Sequence, residues 1–575
     1  MPKKPVLIKA PLTPACFVPL PLKAVRPQGG LLLRLKEAAR WAGGMAFTDG
    51  SLPGFAALAL LTEDPALLKQ AQARVEALLA AGIGDEAMDL ASQASLLQGL
   101  MDWYGATSDG RVLEYVLRRL KDIKDRAETL FSVSEAAALT GEFACVAVQA
   151  YGYTGKQFLL KLLEKLRALG LDWTTFFVSF PLTRPFAKHI PPEEMARGLA
   201  APDEATRLYY QKQRIMADGL TLAKGLKAPA VFSRFSGGGK EKEAGQTGLL
   251  KVMRYHGTAH GLFAAEPSLM GGDPACGMDG RAVAEAMFSL EQLLIALGDG
   301  AFFDALEKIA LNILPAMEKN GLIRPVQRVN GPFPSAGMPA GEMGPFVDAW
   351  LKGMAVYASS LWMAAPEDGL ALMGYAPSLL RWKVKGTLLT ARVEGSYPLD
   401  GEVSVTFRTK TPVSFPLQLR VPAWAQGASL QVNGGEMQEL AAGSFFTLRR
   451  TFEDGDRIGL RLPMAPRLTR WHHQSVAMEY GPLLMALSVD GEQPLWQLAL
   501  DDKAEMRGEL AKGPEGERLT VSAAFRQVPG WTEKDGKPQS PPVKPGTKGE
   551  AMRLVLTPYG ETVCRMAQFP LAPED

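Results

Sequence analysis

The chain is poor in the residues that usually announce a metal or redox centre. It has only four cysteines and five histidines in 575 residues. Cys16, Cys145, Cys276 and Cys564 lie far apart and none shares a CxxC-like spacing, which argues against a disulfide framework and against a structural zinc knuckle. An excess of one charge is also missing. With 63 basic and 61 acidic residues, no long-range field exists to collect nucleic acid or an anionic membrane. There is no run of about 18 apolar residues to span a bilayer. The basic start, Met1-Pro-Lys-Lys-Pro5, leads into Val6–Pro14, where proline and lysine interrupt any apolar signal region. The expected location is cytoplasmic, or periplasmic or secreted if a leader has been removed.

What the sequence does have is core-forming material. Hydrophobic residues make up 47% and charged residues 22%, the profile of a soluble globular protein with room for two to four domains. The first two-thirds carries apolar residues at three- and four-residue spacing, which predicts helices over residues 31–41, 53–61, 65–82, 86–104, 110–121, 203–226, 278–297, 301–314 and 345–363. Thr154-Gly-Lys-Gln157 reads as a capping box ahead of a helix from Phe158. About a dozen helices joined by short turns fit a toroid of helical hairpins, the (α/α)6 barrel, over residues 1–365. From about residue 366 the pattern becomes short alternating runs with turn signals, such as Leu389–Val393 and Leu417–Val421. This predicts a β-sandwich over 366–490 and further strand material over 491–575, with a Lys/Pro/Gly-rich loop at 526–549.

Several strings then fall in one order. Pro21-Leu-Lys-Ala-Val-Arg-Pro-Gln-Gly29, Tyr255-His-Gly-Thr-Ala-His-Gly-Leu-Phe263, Glu285–Glu291, Leu306–Asn312, Leu419-Arg-Val-Pro-Ala-Trp424, Asp454-Gly-Asp456 and Tyr480-Gly-Pro-Leu483 resemble the glycoside hydrolase 127-type, β-L-arabinofuranosidase-like family. Each is weak alone, and their colinearity over about residues 19–485 carries the resemblance. The resemblance implies an (α/α)6 barrel, β-sandwiches, and hydrolysis of glycosidic bonds by a cysteine thiolate beside a zinc ion. The implied Glu-x-Cys ligand pair falls on Asp279-Gly-Arg281, and the implied cysteine pair falls near Pro345-Phe346. The thiols are therefore replaced, and no cofactor is expected.

The densest remaining group of polar residues is 255–285. Ordinary glycoside hydrolysis needs two carboxyl groups, one protonated and one ionised. Glu266 is the candidate general acid. Asp279, at the start of a helix, is the candidate base or nucleophile; as a helix cap it would do neither. Tyr255, His256, His260, Arg281 and Trp173 are candidate substrate-binding residues, although both histidines also suit structural positions. Glu285 is turned away from Asp279 on the same helix and is expected to buttress a neighbouring helix. Three functions stay open: a hydrolase of plant or bacterial glycans using carboxylates, an inactive glycan-binding or partner-assembly relative, and a polysaccharide lyase using Tyr255 and His256. The expected partner is an oligo- or polysaccharide, with neither nucleic acid nor membrane, and the sandwich edges allow a homodimer.

Overall fold

The computed structural model describes residues 9–42, 52–81, 88–331, 337–489, 497–513, 516–531, 533–534, 537–538, 541–542, 550–562 and 564–573. Much of the expected 526–549 loop lies outside them.

A helix-rich N-terminal region is followed by sheet-rich units. Twelve of the helices, numbered here in chain order, alternate in character: α1 (Gly29–Ala42), α2 (Leu52–Thr62), α3 (Pro65–Ala81), α4 (Leu90–Thr107), α5 (Gly110–Asp125), α6 (Thr140–Thr154), α7 (Gln157–Leu169), α8 (Ala228–Ser236), α9 (Gly239–His256), α10 (Gly280–Leu297), α11 (Ala301–Met317) and α12 (Gly344–Ser359). The odd-numbered α3, α5 and α7 bury a single stripe, such as Leu159, Leu162, Leu163 and Leu166, as expected of helices that face solvent on one side. The even-numbered ones are buried nearly all round, and α2 hides every residue from Leu52 to Leu61. These even helices pack in succession, α2 on α4, α4 on α6, α6 on α8, α8 on α10, α10 on α12, and α12 back on α2.

Close approach between them uses glycine. A Cβ on Gly99 of α4 would lie 2.8 Å from Pro53 of α2, and one on Gly141 of α6 would lie 2.9 Å from Ala228 of α8. Some expected elements change at specific residues. The helix predicted over 203–226 is two, Glu204–Ala217 and Gly219–Gly225, because Asp218 leaves the helix and caps the second piece through Thr221 N–H. Thr154 does not open a capping box. It ends α6, and its hydroxyl donates back to Ala150 O. The helix expected to reach residue 363 stops at Ser359, and Trp362 lies in a strand.

Two sheets face each other beyond the helices. One joins Val18–Pro19, Trp362–Ala365, Gly369–Leu372, Val413–Val421 and Ser444–Phe452, and the other runs from Met437–Glu439 to Val25–Pro27. Residues 18–19, 25–27 and 362–365, which the sequence groups with the helices, are thus strands of these sheets. A third sheet begins at Pro466, has its own apolar core, and takes in Val476–Tyr480, Gly516–Gln527 and Ala551–Pro558.

Helix α11 ties the units together. Buried Arg420 of the sandwich pairs with Asp304 and with Glu307 at 2.6 Å. One turn on, Lys308 reaches Glu479 of the third sheet, and Asn312 bonds Pro482 O and Leu484 N.

Candidate functional site: a carboxylate–arginine shelf at the mouth of the helical layer

Asp279 forms at a strand-to-helix junction. Gly277–Asp279 pairs antiparallel with Val326–Arg328, and α10 starts at the next residue. The Asp279 carboxylate accepts from Arg281 N–H at 2.7 Å, the N-cap geometry that satisfies an orphan donor of the first turn. It also holds the Arg281 guanidinium through Nη2 at 2.7 Å and Nε at 3.0 Å. Asp279 therefore is a helix cap, as its position suggested, and it carries an arginine as well.

Glu266 lies on the same shelf. A parallel bridge sets Ala265 beside Met278, so the residues flanking Met278 project to the face that Glu266 uses. A Cβ on Gly277 would lie 2.6 Å from Glu266 Oε2, which confirms that the carboxylate lies over this face. Gly277 and Asp279, two residues apart, share that face, which puts the two acids roughly 5–7 Å apart at Cβ. Glu266 Oε2 accepts from Arg328 Nη2 at 2.6 Å. Arg328 is held in turn by Tyr559, which lies in the short turn that follows the strand Ala551–Pro558 and whose hydroxyl donates to Arg328 O at 2.5 Å. The shelf is open to solvent, with the side chains of Glu266 34% and Arg281 45% exposed.

The other candidates from the sequence separate by burial. His256, at the end of α9, is fully buried. Gly271 N–H can only donate, so it fixes Nδ1 as acceptor at 3.0 Å, and Nε2–H then donates to Leu182 O at 2.6 Å. Both ring nitrogens are used in stapling the loop that carries Glu266, and burial lowers the pKa of the ring. His260 is buried with Nδ1 on the Thr258 hydroxyl at 3.1 Å, and burial beside Arg565 and Lys308 takes its pKa down to about 3. Trp173 is only 2% exposed and stacks on Phe177 at 5.6 Å. Tyr255 is occupied between Phe180 and the Arg254 guanidinium. These four are corrections to the substrate-binding set: Trp173, His256 and His260 are interior groups, and Tyr255 is not brought to Asp279. Arg281 alone stays on the shelf.

The residues that resemblance assigns to zinc do converge, but with the wrong donors. The Arg281 Cζ lies 5.1 Å from the centroid of Phe346, at the start of α12. Asp279, Arg281 and Phe346 thus offer one carboxylate, one cation and one hydrocarbon ring, which does not fit a thiolate-ligated zinc. The neighbouring Cys276 is a single thiol, its pKa pushed up to about 12 by burial and by Asp273, and such a thiol is inert at neutral pH. Among the described residues no group of three or more His, Cys, Asp or Glu is placed to hold a metal ion.

Sequence reasoning missed Arg328, which is distant in the chain, whereas Phe346 was located through the resemblance. It also missed a second level of polar groups beneath the shelf. There Lys352 of α12 bonds Glu285 of α10 at 2.8 Å, and Lys227 pairs with Glu142. Both ammonium groups lie 5.1 Å from the Phe288 ring. Burial opposes ionisation of Glu285, yet Lys352, Lys224 and Lys227 hold its pKa down to about 2. It does buttress a neighbouring helix. Deeper still are Asp102 of α4 and Glu291 of α10. Burial pushes Asp102 up to about 6, and burial together with Asp102 pushes Glu291 up to about 7. The signal available in the sequence was a run of polar residues in helices that are otherwise apolar on every side.

Comparisons with known proteins agree with this architecture. Residues 369–464 match the family model described as the middle domain of the family 127 β-L-arabinofuranosidases. The structure superposes on a glycoside hydrolase with a TM-score of 0.74 at 15% identity, covering 99% of this chain and 100% of that one. A family 127 β-L-arabinofuranosidase from Geobacillus stearothermophilus T6 gives 0.68 at 17% identity, with 94% of each chain covered. A further family 127 β-arabinofuranosidase gives 0.60 at 13% identity, covering 97% and 98%. No curated protein matches at the level of sequence. The resemblance read from the colinear strings is thus matched by the sandwich's sequence and by the fold of the whole chain. No helix among the described residues is long and apolar enough to cross a membrane.

Proposed function

We propose that this chain is a glycoside hydrolase-like enzyme on an (α/α)6 barrel, acting on an oligo- or polysaccharide through Glu266 and Asp279 and without zinc. The barrel reading rests on the cyclic packing of the six even-numbered helices. The observation that carries the function is the shared face of Glu266 and Asp279 at the N-terminal end of α10. A shared face is what two carboxyl groups need in order to flank one glycosidic bond, at roughly 5–10 Å between the carboxyls.

In this reading Glu266 gives a proton to the leaving oxygen. Only its Oε2 is engaged among the described residues. Asp279, held by the α10 N-terminus and by Arg281, acts on the opposite side as base or nucleophile. The two guanidiniums supply hydrogen-bond donors to sugar hydroxyls. A β-L-arabinofuranoside, the substrate class named for one structural relative and for the matching family model, is the first compound to test. Release of sugar should be unchanged by a chelator and should drop on Glu266→Gln and on Asp279→Asn. Full activity in both variants would refute the assignment.

A binding role without turnover is the second reading, and one observation favours it. Both carboxylates already sit in ion pairs, so a ligand would meet a neutral, hydrogen-bonding shelf. Thermal shifts on glycan addition with no sugar release would support it. A lyase using His256 as base is disfavoured, because both ring nitrogens are committed inside the protein.

A further inference from the structure

A cavity of about 180 Å³ lies between the even-numbered helices, below the Glu285–Lys352 pair. Its wall includes Gln98 and Asp102 from α4, Gln149 and Tyr153 from α6, Glu291 from α10 and Lys352 from α12. The segment Val18–Leu22 closes one side. We infer that this cavity is a binding site for one neutral monosaccharide or cyclic polyol, separate from the shelf at the mouth.

Distance makes it separate. Glu291 is ten residues beyond Arg281 on the same helix, about 15 Å along its axis. No single glycosidic bond spans that gap, so the cavity is not the other half of the Glu266–Asp279 site. Size limits the ligand. An apolar cavity of about 150 Å³ accepts one six-membered carbon ring, so this one has room for a single sugar ring and not for a disaccharide.

The lining chemistry sets the class. Gln98 Nε2 donates to Asp102 Oδ1 at 3.2 Å and to Gln149 Oε1 at 3.1 Å, an amide–carboxyl–amide array with both donors and acceptors. On the facing side, Ser360 Oγ donates to Glu291 Oε1 at 2.7 Å and Gln292 Nε2 makes a long contact of 3.4 Å to Oε2, so this wall too offers acceptors flanked by donors. Phe288, Met101, Val148 and Ile295 add apolar surface between these groups, as the C–H faces of a sugar ring require. The charged lining is of mixed sign: Asp102 and Glu291, whose pKa values burial has raised toward neutrality, against Lys352, which Glu285 already engages, Arg234, which donates to Thr13 O, and Lys9. An uncharged polyhydroxy ring suits both walls.

The experiment uses the whole chain and a set of free sugars, L-arabinose, D-xylose, D-galactose and myo-inositol, in titration calorimetry and saturation-transfer NMR. Each is measured on the wild type, Gln149→Leu, Ala355→Leu, Asp102→Asn and Glu266→Gln. Ala355 lines the cavity, so leucine there fills it. Asp102→Asn keeps the shape and guards against a misfolded result in the other two. Saturable binding of one sugar should weaken by at least about tenfold in Gln149→Leu and Ala355→Leu, with a smaller loss in Asp102→Asn, and should persist in Glu266→Gln. Binding that survives the three cavity variants but disappears in Glu266→Gln would overturn the inference and place the sugar at the mouth. So would the absence of saturable binding by any of the four, which would leave the cavity to water. Loss of hydrolysis in Glu266→Gln bears only on the proposed function, so the two failures are distinguishable.

Discussion

The mouth and the interior of the helical layer both contain pairs of acids, and they treat them in opposite ways. At the mouth, Glu266 and Asp279 are each tied to a guanidinium and reached by solvent. In the interior, Asp102 and Glu291 are bonded to amides and a hydroxyl, with no cation in hydrogen-bond contact, and burial raises both pKa values. Between the two levels, Glu285 is also largely withdrawn from solvent, its side chain 14% exposed, but it has Lys352 against it, and its pKa is depressed. The lesson is that depth alone does not decide the protonation of a carboxyl group here. What decides it is whether an ammonium or guanidinium shares the site.

The comparison can be broken at several points. The largest expected effect is kinetic. If the mouth does the chemistry, Glu266→Gln should lower kcat by about 10²–10⁴, while Asp102→Asn leaves it within about threefold. Steady-state assays on the same glycoside test both, and equal losses would erase the distinction between the two levels. Next comes the partition. Lys352→Met strands Glu285 without its partner in the interior, at a cost of about 3–5 kcal/mol in unfolding free energy. Chemical denaturation measures it, and a change within about 1 kcal/mol would mean that water or another cation replaces the ammonium.

A pH experiment sharpens the contrast. Glu291 has a folded pKa of about 7 against an ordinary value of 4.5. Between those values the folded protein holds the proton and the unfolded chain does not, so stability falls as pH rises through the window. Asp102 acts in the same direction up to about 6, and the Lys352 ammonium, charged throughout this window, keeps the Glu291 pKa below what burial alone would give. Glu291→Gln removes the titration. The Tm of the variant relative to wild type should rise from pH 4.5 to pH 7.5, by the equivalent of up to about 3 kcal/mol. A constant difference across that range would show that Glu291 titrates normally.

Some of this was legible in the sequence. The change from three- and four-residue spacing to alternating runs correctly separated helices from sheets, because burial on one stripe or one face leaves that mark on every element. Boundaries were less legible. The third sheet begins at Pro466 and not at 491, since the strands on either side of that turn alternate alike. Residues 18–19 and 25–27 pair with strands more than 300 residues away, a contact no local pattern records. In the site, Asp279 was readable as a cap because capping is local. Phe346 was reached only through the family resemblance, and Arg328 was not readable, because only the fold brings it to residue 266. Trp173, His256 and His260 were misassigned for a physical reason: an aromatic or histidine suited to touching a sugar is equally suited to a core. His256 finds partners for both ring nitrogens, while Trp173 Nε1 and His260 Nε2 are buried without one among the described residues.

The smallest effect closes the comparison. Asp279 has two separable roles, since its oxygens cap α10 and also hold Arg281. Asparagine caps a helix about as well as aspartate. The ion pair lost is substantially exposed, and such pairs contribute up to about 1 kcal/mol. Asp279→Asn should therefore lower stability by less than about 1 kcal/mol, whereas Asp279→Ala, which removes the cap too, should cost about 1 kcal/mol more. If Asp279 also supplies the charge that hydrolysis needs, both variants should lose turnover to the same extent despite their different stabilities. Turnover that tracks stability across the pair would instead make Asp279 a cap alone. The shelf would then hold one carboxyl group, too few for a hydrolase and enough for a protein that only binds.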